Sequence, residues 1–280
     1  MYYILYNEKS NKGKPVKIAA KLLKKYNKKR IDAEVISIIS LIDKEKEFSS
    51  NLKNDDVLII IGGDGTFHQF FNKVYPLSFN CKVYALSYGR GNDFARDYKK
   101  HKIFEITHLF NNLPVATIND NEKYLFVNGV GMGVDSGVCN LQLQNAKNNI
   151  KQSYFKVALK VFKTFKPYKL DIKIDGNDYH FDNVWFFVCN NGKYFGGGMK
   201  VTPKAVREDD VLDICVVHSI KRWRLLLIFP TIFVGLHNFF GGKNITNIRG
   251  KQVEAKPDGC NIMQRDGEVS YNVNKLSIKR

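Results

Sequence analysis

The sequence predicts an α/β domain, with a parallel sheet and covering helices, followed by a second, mostly antiparallel domain of β-sandwich type. Three observations carry this. Up to about residue 120, short β-branched runs alternate with helical patterns. Residues 57–61 form a continuous apolar run, the pattern of a strand buried on both faces, which ends abruptly at Gly62. Beyond residue 120 the character changes to strands separated by turn signals, Asp175-Gly176 being the clearest. A chain of 280 residues is long enough for two domains. We place them at 1–120 and 121–273, with a short strand over 274–280 returning to the first domain.

In chain order, 2–6 reads as a strand. Residues 15–26 read as a helix that opens with Pro15 and aligns Ile18, Ala19, Leu22, Leu23 and Tyr26 on one face. A second strand follows over 34–39, then the apolar strand at 57–61, then a further strand over 83–86 whose glycine loop leads into a helix near Asn92. In the second half, strands fall at 124–128, 170–174, 184–190 and 213–217, interrupted by helical stretches near 141–165 and 221–236. There is no repeat of solenoid period and no low-complexity linker.

Composition narrows the classes. An apolar fraction of 44% and a charged fraction of 25% describe an ordinary globular chain. The excess of 44 Lys and Arg over 27 Asp and Glu gives a formal charge of +17, which favours anionic surfaces or phosphorylated substrates, or reflects a lysine-rich bias. The five cysteines are widely spaced with no CxxC pair, so neither a disulfide framework nor a zinc cluster is expected and a reducing cytoplasm fits. The N-terminal apolar run is too short for a secretory signal. The apolar stretch 225–240, uncharged throughout, contains Pro230, His237 and Asn238 and falls short of a bilayer span. The histidines lack HExxH spacing, and no RRM, KH or zinc-finger pattern appears, so nucleic acid is not an expected partner.

The chemistry begins at Gly62-Gly63-Asp64-Gly65-Thr66, between a buried strand and a helix. Three glycines in four positions let the backbone approach a ligand closely, and the helix offers unpaired N–H groups at its positive end, so phosphate is the natural guest. A carboxylate in such a loop makes sense if Asp64 holds Mg²⁺ against the phosphates; the alternative is a tight turn whose Asp caps the helix. The GxxxxGK[ST] pattern and the protein-kinase catalytic loop are absent.

The strand-GGDGT-helix unit resembles the nucleotide site shared by diacylglycerol and sphingosine kinases, NAD kinases and phosphofructokinases. Three further stretches resemble the diacylglycerol kinase catalytic family in particular. Gly89-Arg90-Gly91-Asn92-Asp93-Phe94-Ala95-Arg96 looks like its GTGNDFAR signature. Tyr194-Phe195-Gly196-Gly197-Gly198, followed by Pro203 and Ala205, looks like its YGGG...PxA segment, and Asp266-Gly267-Glu268 looks like its late DGE. Asn7 and Ser10 sit where the family has an NPxSG loop, so the resemblance covers essentially the whole chain.

The resemblance implies a two-domain lipid-kinase fold with an α/β nucleotide-binding domain and an active site in the cleft between the domains. It implies ATP and Mg²⁺ as cofactors and transfer of the γ-phosphate to a lipid hydroxyl, diacylglycerol to phosphatidic acid foremost. By carry-over, the ATP site comprises Asn7, Ser10, Gly62, Gly63, Asp64, Gly65, Thr66, Gly89, Arg90, Asn92 and Asp93. The catalytic acids are Asp266 as base, Glu268 in support, and Asp64. Two departures matter: the family's threonine is Arg90 here, and NPxSG reads Asn7-Glu8-Lys9-Ser10-Asn11, without proline or glycine. The segment around Asp209 resembles PxAxxDDGxLD, which carries a structural Mg²⁺ in some members, although adjacent acids such as Glu208, Asp209 and Asp210 are also what a solvated loop contains.

Residues 220–240 set aromatic and aliphatic bulk beside Lys221, Arg222 and Arg224, which suits either an anionic membrane interface or a packed core. The expected partners are a lipid alcohol and peripheral contact with an anionic membrane from the cytoplasm, with the oligomeric state, homodimer included, left open. NAD kinase-like phosphorylation of a soluble acceptor is the rival enzymatic reading, argued against by YGGG...PxA and DGE. A non-catalytic membrane- or nucleic-acid-binding relic is the rival of another class, argued against by retention of Asp64, Asp266 and Glu268.

Overall fold

The computed structural model describes all residues except 42, 75–78, 90, 99–102, 110–111 and 153, and the side chains of 154 and 155. The chain divides into two compact units, Met1–Leu113 and Pro114–Arg280.

In the first unit, strands β1 (Tyr2–Tyr6), β2 (Ala33–Ser37), β3 (Val57–Gly62), β4 (Lys82–Ser87) and β5 (Ile103–Glu105) form a sheet in the order β2-β1-β3-β4-β5. The first four run parallel, and β5 adds an antiparallel edge to β4 that the sequence did not announce. As its apolar run requires, β3 is central, with Leu58 to Ile61 buried. Helices α1 (Lys14–Lys28), α2 (Glu45–Asn51), α3 (Asp64–Val74) and α4 (Asp93–Arg96) connect the strands. Helix α1 buries Ala19 and Leu22 against Ile4, Ile59 and Ile61, with Ile18, Leu23 and Tyr26 packed around them. Helix α3 buries Phe67, Phe70, Phe71 and Val74, each such side chain contributing roughly 1.5–3 kcal/mol. Phe67 meets Phe94 of α4 edge-on, with ring centroids 5.1 Å apart. Strand β2 stops at Ser37, two residues before the sequence suggested, because Ile38–Leu41 turn into a 3₁₀ segment.

Register positions the site. Tyr6 lies beside Ile61 and Gly62 beside Ser87, so the carboxyl ends of β1, β3 and β4 finish at one edge and their loops emerge together. Ligands of open α/β sheets bind at such an edge.

The second unit contains β6 (Val115–Ile118), β7 (Glu122–Leu125), β8 (Gly129–Gly133), helices α5 (Val134–Lys147) and α6 (Tyr154–Thr164), then β9 (Tyr168–Ile174), β10 (Asn177–Asn190) and β11 (Leu212–His218). There follow α7 (Arg222–Ile228), α8 (His237–Gly241), β12 (Ile245–Gly250), β13 (Gln252–Asp258), β14 (Met263–Arg265), β15 (Glu268–Ser270) and β16 (Leu276–Lys279). All pairings are antiparallel, along β15-β14-β8-β10-β9-β13-β16-β6-β7, with β11 between β10 and β12. Strand alternation builds two cores. Phe187, Cys189, Ile214 and Val216 enter the core enclosed by the sheet, whereas Trp185, Val188, Cys215 and Val217 face the layer of α5 to α8. Asp175 and Gly176 both have positive φ (47° and 89°) and form the two-residue turn that their sequence announced.

Two expectations change. The helix expected over 141–165 is two helices, the first beginning at Val134, because Val134 and Val138 face the core. The helix expected over 221–236 ends at Ile228, where Pro230 allows only a 3₁₀ segment, Phe229–Phe233, before α8. Strand β16 pairs with β13 and with β6 (Val115–Ile118), and Leu276 and Ile278 pack in the core of the second unit, which opens at Pro114.

Candidate functional site

At the strand edge of the first unit lies a cleft of about 870 Å³, lined by Asn7, Ser10, Gly63, Asp64, Gly65, Thr66 and Gly89. These are seven of the residues expected to hold nucleotide. Its walls depend on backbone contact. A Cβ on Gly63 would stand 2.7 Å from the Gly89 Cα, and one on Gly89 would stand 2.7 Å from the Gly63 Cα, so the first and second glycine loops can meet only as glycines. Gly62 is buried behind the loop, and Tyr88 N–H donates to its carbonyl at 2.6 Å.

Asp64 joins the loops. Its carboxylate accepts from the N–H groups of Asp93 (3.1 Å) and Phe94 (3.0 Å), so it caps α4 rather than its own helix. Asn92 and Asp93 therefore shape the second loop instead of lining the cleft. Asn92 is left-handed (φ 52°, ψ 39°), and its Oδ1 accepts from Gly89 N–H (2.6 Å) and Ser87 Oγ–H (2.8 Å). Arg90 lies outside the described residues.

The loop after β1 shows how a chain without the family's glycine forms this turn. Asn11 adopts φ 42°, ψ 48°, the left-handed region that Asn tolerates best after Gly, and Lys12 and Gly13 continue it. Asn7 Nδ2 donates to Thr66 Oγ1 (3.3 Å) and Asn11 Nδ2 to the Tyr88 carbonyl (3.0 Å), tying this loop to both glycine loops. Lys9, Lys12 and Lys73 also line the cleft and bring positive charge to it. Sequence reasoning missed them because lysines are scattered throughout the chain.

In the second unit, Asp266 and Gly267 form the β14–β15 turn with φ 45° and 97°. The Asp266 carboxylate accepts three backbone N–H groups, from Val127 (2.5 Å), Asn128 (2.8 Å) and Gly129 (3.1 Å). Arg207, fully buried, grips the same segment from its other side, donating to the Val127 carbonyl and to Asn128 Oδ1 (3.0 Å). Nothing in the motif match pointed to Arg207; its only sequence mark is a cation two residues after Ala205, at a variable position of the PxAxxDDGxLD-like stretch. Glu268 is half-buried and makes no hydrogen bond among the described residues.

Asp209 does not fit a metal site. Its carboxylate pairs with Arg249 and accepts Val211 N–H (3.2 Å), while Arg249 Nε also reaches Asp213 at 3.3 Å. A guanidinium thus already pairs with both acids, and no cluster of three metal-ligating side chains occurs among the described residues.

A second concavity of the same unit, a narrow apolar cavity of about 60 Å³, lies between the sheet and α5 to α8. Two buried polar atoms among its lining residues lack partners, Asp135 Oδ1 and His237 Nδ1. Burial pushes the Asp135 carboxyl up to about 7, while Gln264 Nε2 donates to its Oδ2 at 3.3 Å. His237 Nε2 lies 3.0 Å from the Val201 carbonyl, so Nε2 carries the proton and Nδ1 is an acceptor; burial lowers the imidazole's pKa. The sequence mark of Asp135 is a single acid ending the run Gly129-Val130-Gly131-Met132-Gly133-Val134.

Comparison with known proteins agrees with this architecture. The model of the diacylglycerol kinase catalytic domain matches residues 1–119, and that of the YegS C-terminal NAD kinase beta sandwich-like domain matches 128–276. A Bacillus subtilis protein named "Putative lipid kinase YtlR" is 26% identical, over 76% of this chain and 74% of its own. A Mycobacterium tuberculosis diacylglycerol kinase is 24% identical, over 78% of this chain and 72% of its own. A crystal structure described as a diacylglycerol kinase from Bacillus anthracis shares the fold, with a TM-score of 0.68 and 22% identity, covering 100% of this chain and 94% of that one. With both domains matched in order, the chain belongs to the lipid kinase family that joins a diacylglycerol kinase catalytic domain to a YegS-type C-terminal domain.

Proposed function

We propose that this protein transfers the γ-phosphate of ATP to the hydroxyl of a lipid alcohol, diacylglycerol being the first candidate and phosphatidic acid its product. The observation that carries the reading is the glycine-walled cleft. Gly63 and Gly89 admit no side chain, Asp64 locks their loops together, and Lys9, Lys12 and Lys73 supply cations where phosphates would lie. The half-buried Asp64 carboxylate lines the cleft beside that charge, a donor suited to a Mg²⁺ held mainly by phosphate oxygens and water. When bound, Mg²⁺ would neutralise charge on the transferring phosphate.

In the transfer, the lipid oxygen bonds to the γ-phosphorus as the bond to the β–γ bridging oxygen breaks, and the hydroxyl proton leaves to a carboxylate. The Asp266-Gly267-Glu268 turn is proposed to receive it. Family likeness favours Asp266, whereas the three N–H groups on Asp266 make it also the fixed point of the turn, and Glu268 is the acid without a hydrogen bond.

The test is phosphate transfer from labelled ATP to lipid alcohols in mixed micelles, with NAD as a rival acceptor and Glu268→Gln as control. Labelled lipid is expected. Labelled NADP, or measurable ATP binding without transfer to any acceptor, would overturn the reading.

A further inference from the structure

We infer that residues 221–243 of the second unit form the face by which this protein docks on an anionic bilayer; the inference rests on the proposed lipid acceptor. More than half of the large apolar side chains exposed among the described residues lie in this stretch. Trp223, Leu227 and Phe239 are 61%, 69% and 80% exposed, with Phe233, Leu236 and Phe240 beside them. The sequence left two causes open for this apolar bulk, and the structure divides the residues between them. Leu225, Ile228 and Ile232 point inward, packing with Trp185 and Val217 in the core and lining the apolar cavity. The outward set takes no part in that core, so folding does not account for it.

The face is held in place. Arg224 donates to Asn244 Oδ1 (3.1 Å) and to the Phe240 carbonyl (3.3 Å), joining α7 to the end of α8. Arg222 donates to the carbonyls of Phe162 (3.0 Å) and Phe165 (2.9 Å), and Lys200 N–H donates to the Ile232 carbonyl at 2.9 Å. The aromatic side chains therefore project from a fixed surface.

Charge selects the occupant. Between Asp213 and Glu254 the chain carries no acidic residue, while Lys221, Arg222, Arg224 and Lys243 flank the apolar set. The Lys200 side chain packs at the Gly235 turn between its two halves. Aromatic and aliphatic bulk with a cationic border matches the headgroup boundary of an anionic bilayer. A second copy of this chain would set the same cationic border against itself, and repulsion opposes that pairing. Among the described residues no helix is long and apolar enough to cross a membrane, so contact is by a face. The cavity's roof and the docking face are opposite sides of the same helices, which puts the cavity directly behind the bilayer surface.

The chain's two tryptophans provide the readout, because Trp223 is exposed and Trp185 is buried. The full chain is mixed, without ATP, with vesicles of phosphatidylcholine alone or with added phosphatidylglycerol, some carrying brominated acyl chains. We expect binding to the mixed vesicles that weakens with salt, with Trp223 emission blue-shifted and quenched by bromine. The double variant Leu227→Ser/Phe239→Ser should bind at least ten-fold more weakly, yet melt normally and keep its transfer activity toward micelle-dispersed lipid. Unchanged binding by that variant, unquenched Trp223 in bound protein, or sedimentation showing the face covered by another copy would overturn the inference. Lipid phosphorylated in micelles without vesicle binding would refute docking alone, whereas vesicle binding without phosphorylation of any lipid would refute only the acceptor on which it rests.

Discussion

Replacing Asp266 by Ala removes more than a carboxylate of the proposed proton-accepting turn. Its oxygens satisfy the N–H groups of Val127, Asn128 and Gly129, all buried residues at the start of β8. Hydrogen bonds to a charged acceptor are worth about 1.5–3 kcal/mol each, and a buried donor left unpaired costs about 1–3 kcal/mol. The three share one acceptor at a half-exposed position, so they do not add, and water recovers part of the loss. A destabilisation of roughly 3–5 kcal/mol is the expected sum, which for a unit of this size lowers the melting transition by roughly 10 °C. Differential scanning calorimetry of Asp266→Ala beside Glu268→Gln separates scaffold from chemistry. Glu268→Gln leaves the three N–H groups satisfied and should melt like the parent while transfer falls. An Asp266→Ala protein melting within about 2 °C of the parent would refute the clamp.

Further outcomes follow from the same coordinates. Gly63→Ala places a Cβ 2.7 Å from the Gly89 Cα and should abolish binding of a non-hydrolysable ATP analogue by calorimetry while the second unit melts normally. Asn11→Val forces a β-branched residue into the left-handed region and should cost about 1–2 kcal/mol in urea unfolding beyond Asn11→Gly, which loses only the hydrogen bond to the Tyr88 carbonyl. For Asp135, the folded pKa of about 7 lies above the ordinary 3.8. Its protonation therefore favours the folded state fully below the ordinary value, and that advantage is lost as pH rises through about 7. Asp135→Asn should flatten the fall in unfolding free energy between those limits, which at about 1.4 kcal/mol per pH unit is a term of order 4 kcal/mol. Because Arg249 already pairs with Asp209 and Asp213, chelation with EDTA should leave the second unit's melting transition in place, whereas Arg249→Ala should lower its unfolding free energy by about 1 kcal/mol.

What the sequence made legible was local. The run at 57–61 became the buried central strand, Asp175-Gly176 became a hairpin turn, and the glycine loops met at one sheet edge, because in each case adjacent residues fix the backbone by their own sterics or burial. What escaped depended on partners distant in the chain. Asp64 reads as a metal ligand, with a cap of its own helix as the alternative, until Asp93 and Phe94 are brought to it. Arg207 shows no pattern of its own, since its meaning comes from Val127 and Asn128. The start of α5 lies ahead of the expected 141 because Val134 and Val138 belong to a core supplied by other elements. The Asp209 segment matched a metal-bearing family stretch, but Arg249, on a later strand, decides its chemistry.

The pairing of β6 with β16 bears on how the second unit is made. Ile118 lies opposite Leu276 and Val115 opposite Lys279, so the unit's opening strand, which pairs on one side with the adjacent β7, finds its other neighbour only near the other end of its chain. Loop-closure entropy must be overcome before that contact returns any free energy, which makes it a late event and the folding of this unit slow. Until β16 arrives, β13 presents a bare edge to any strand nearby. The nascent protein is therefore most exposed to aggregation while its last strand is still being synthesised, and expression yield should respond more steeply to chaperone supply than the stability of the finished fold would suggest.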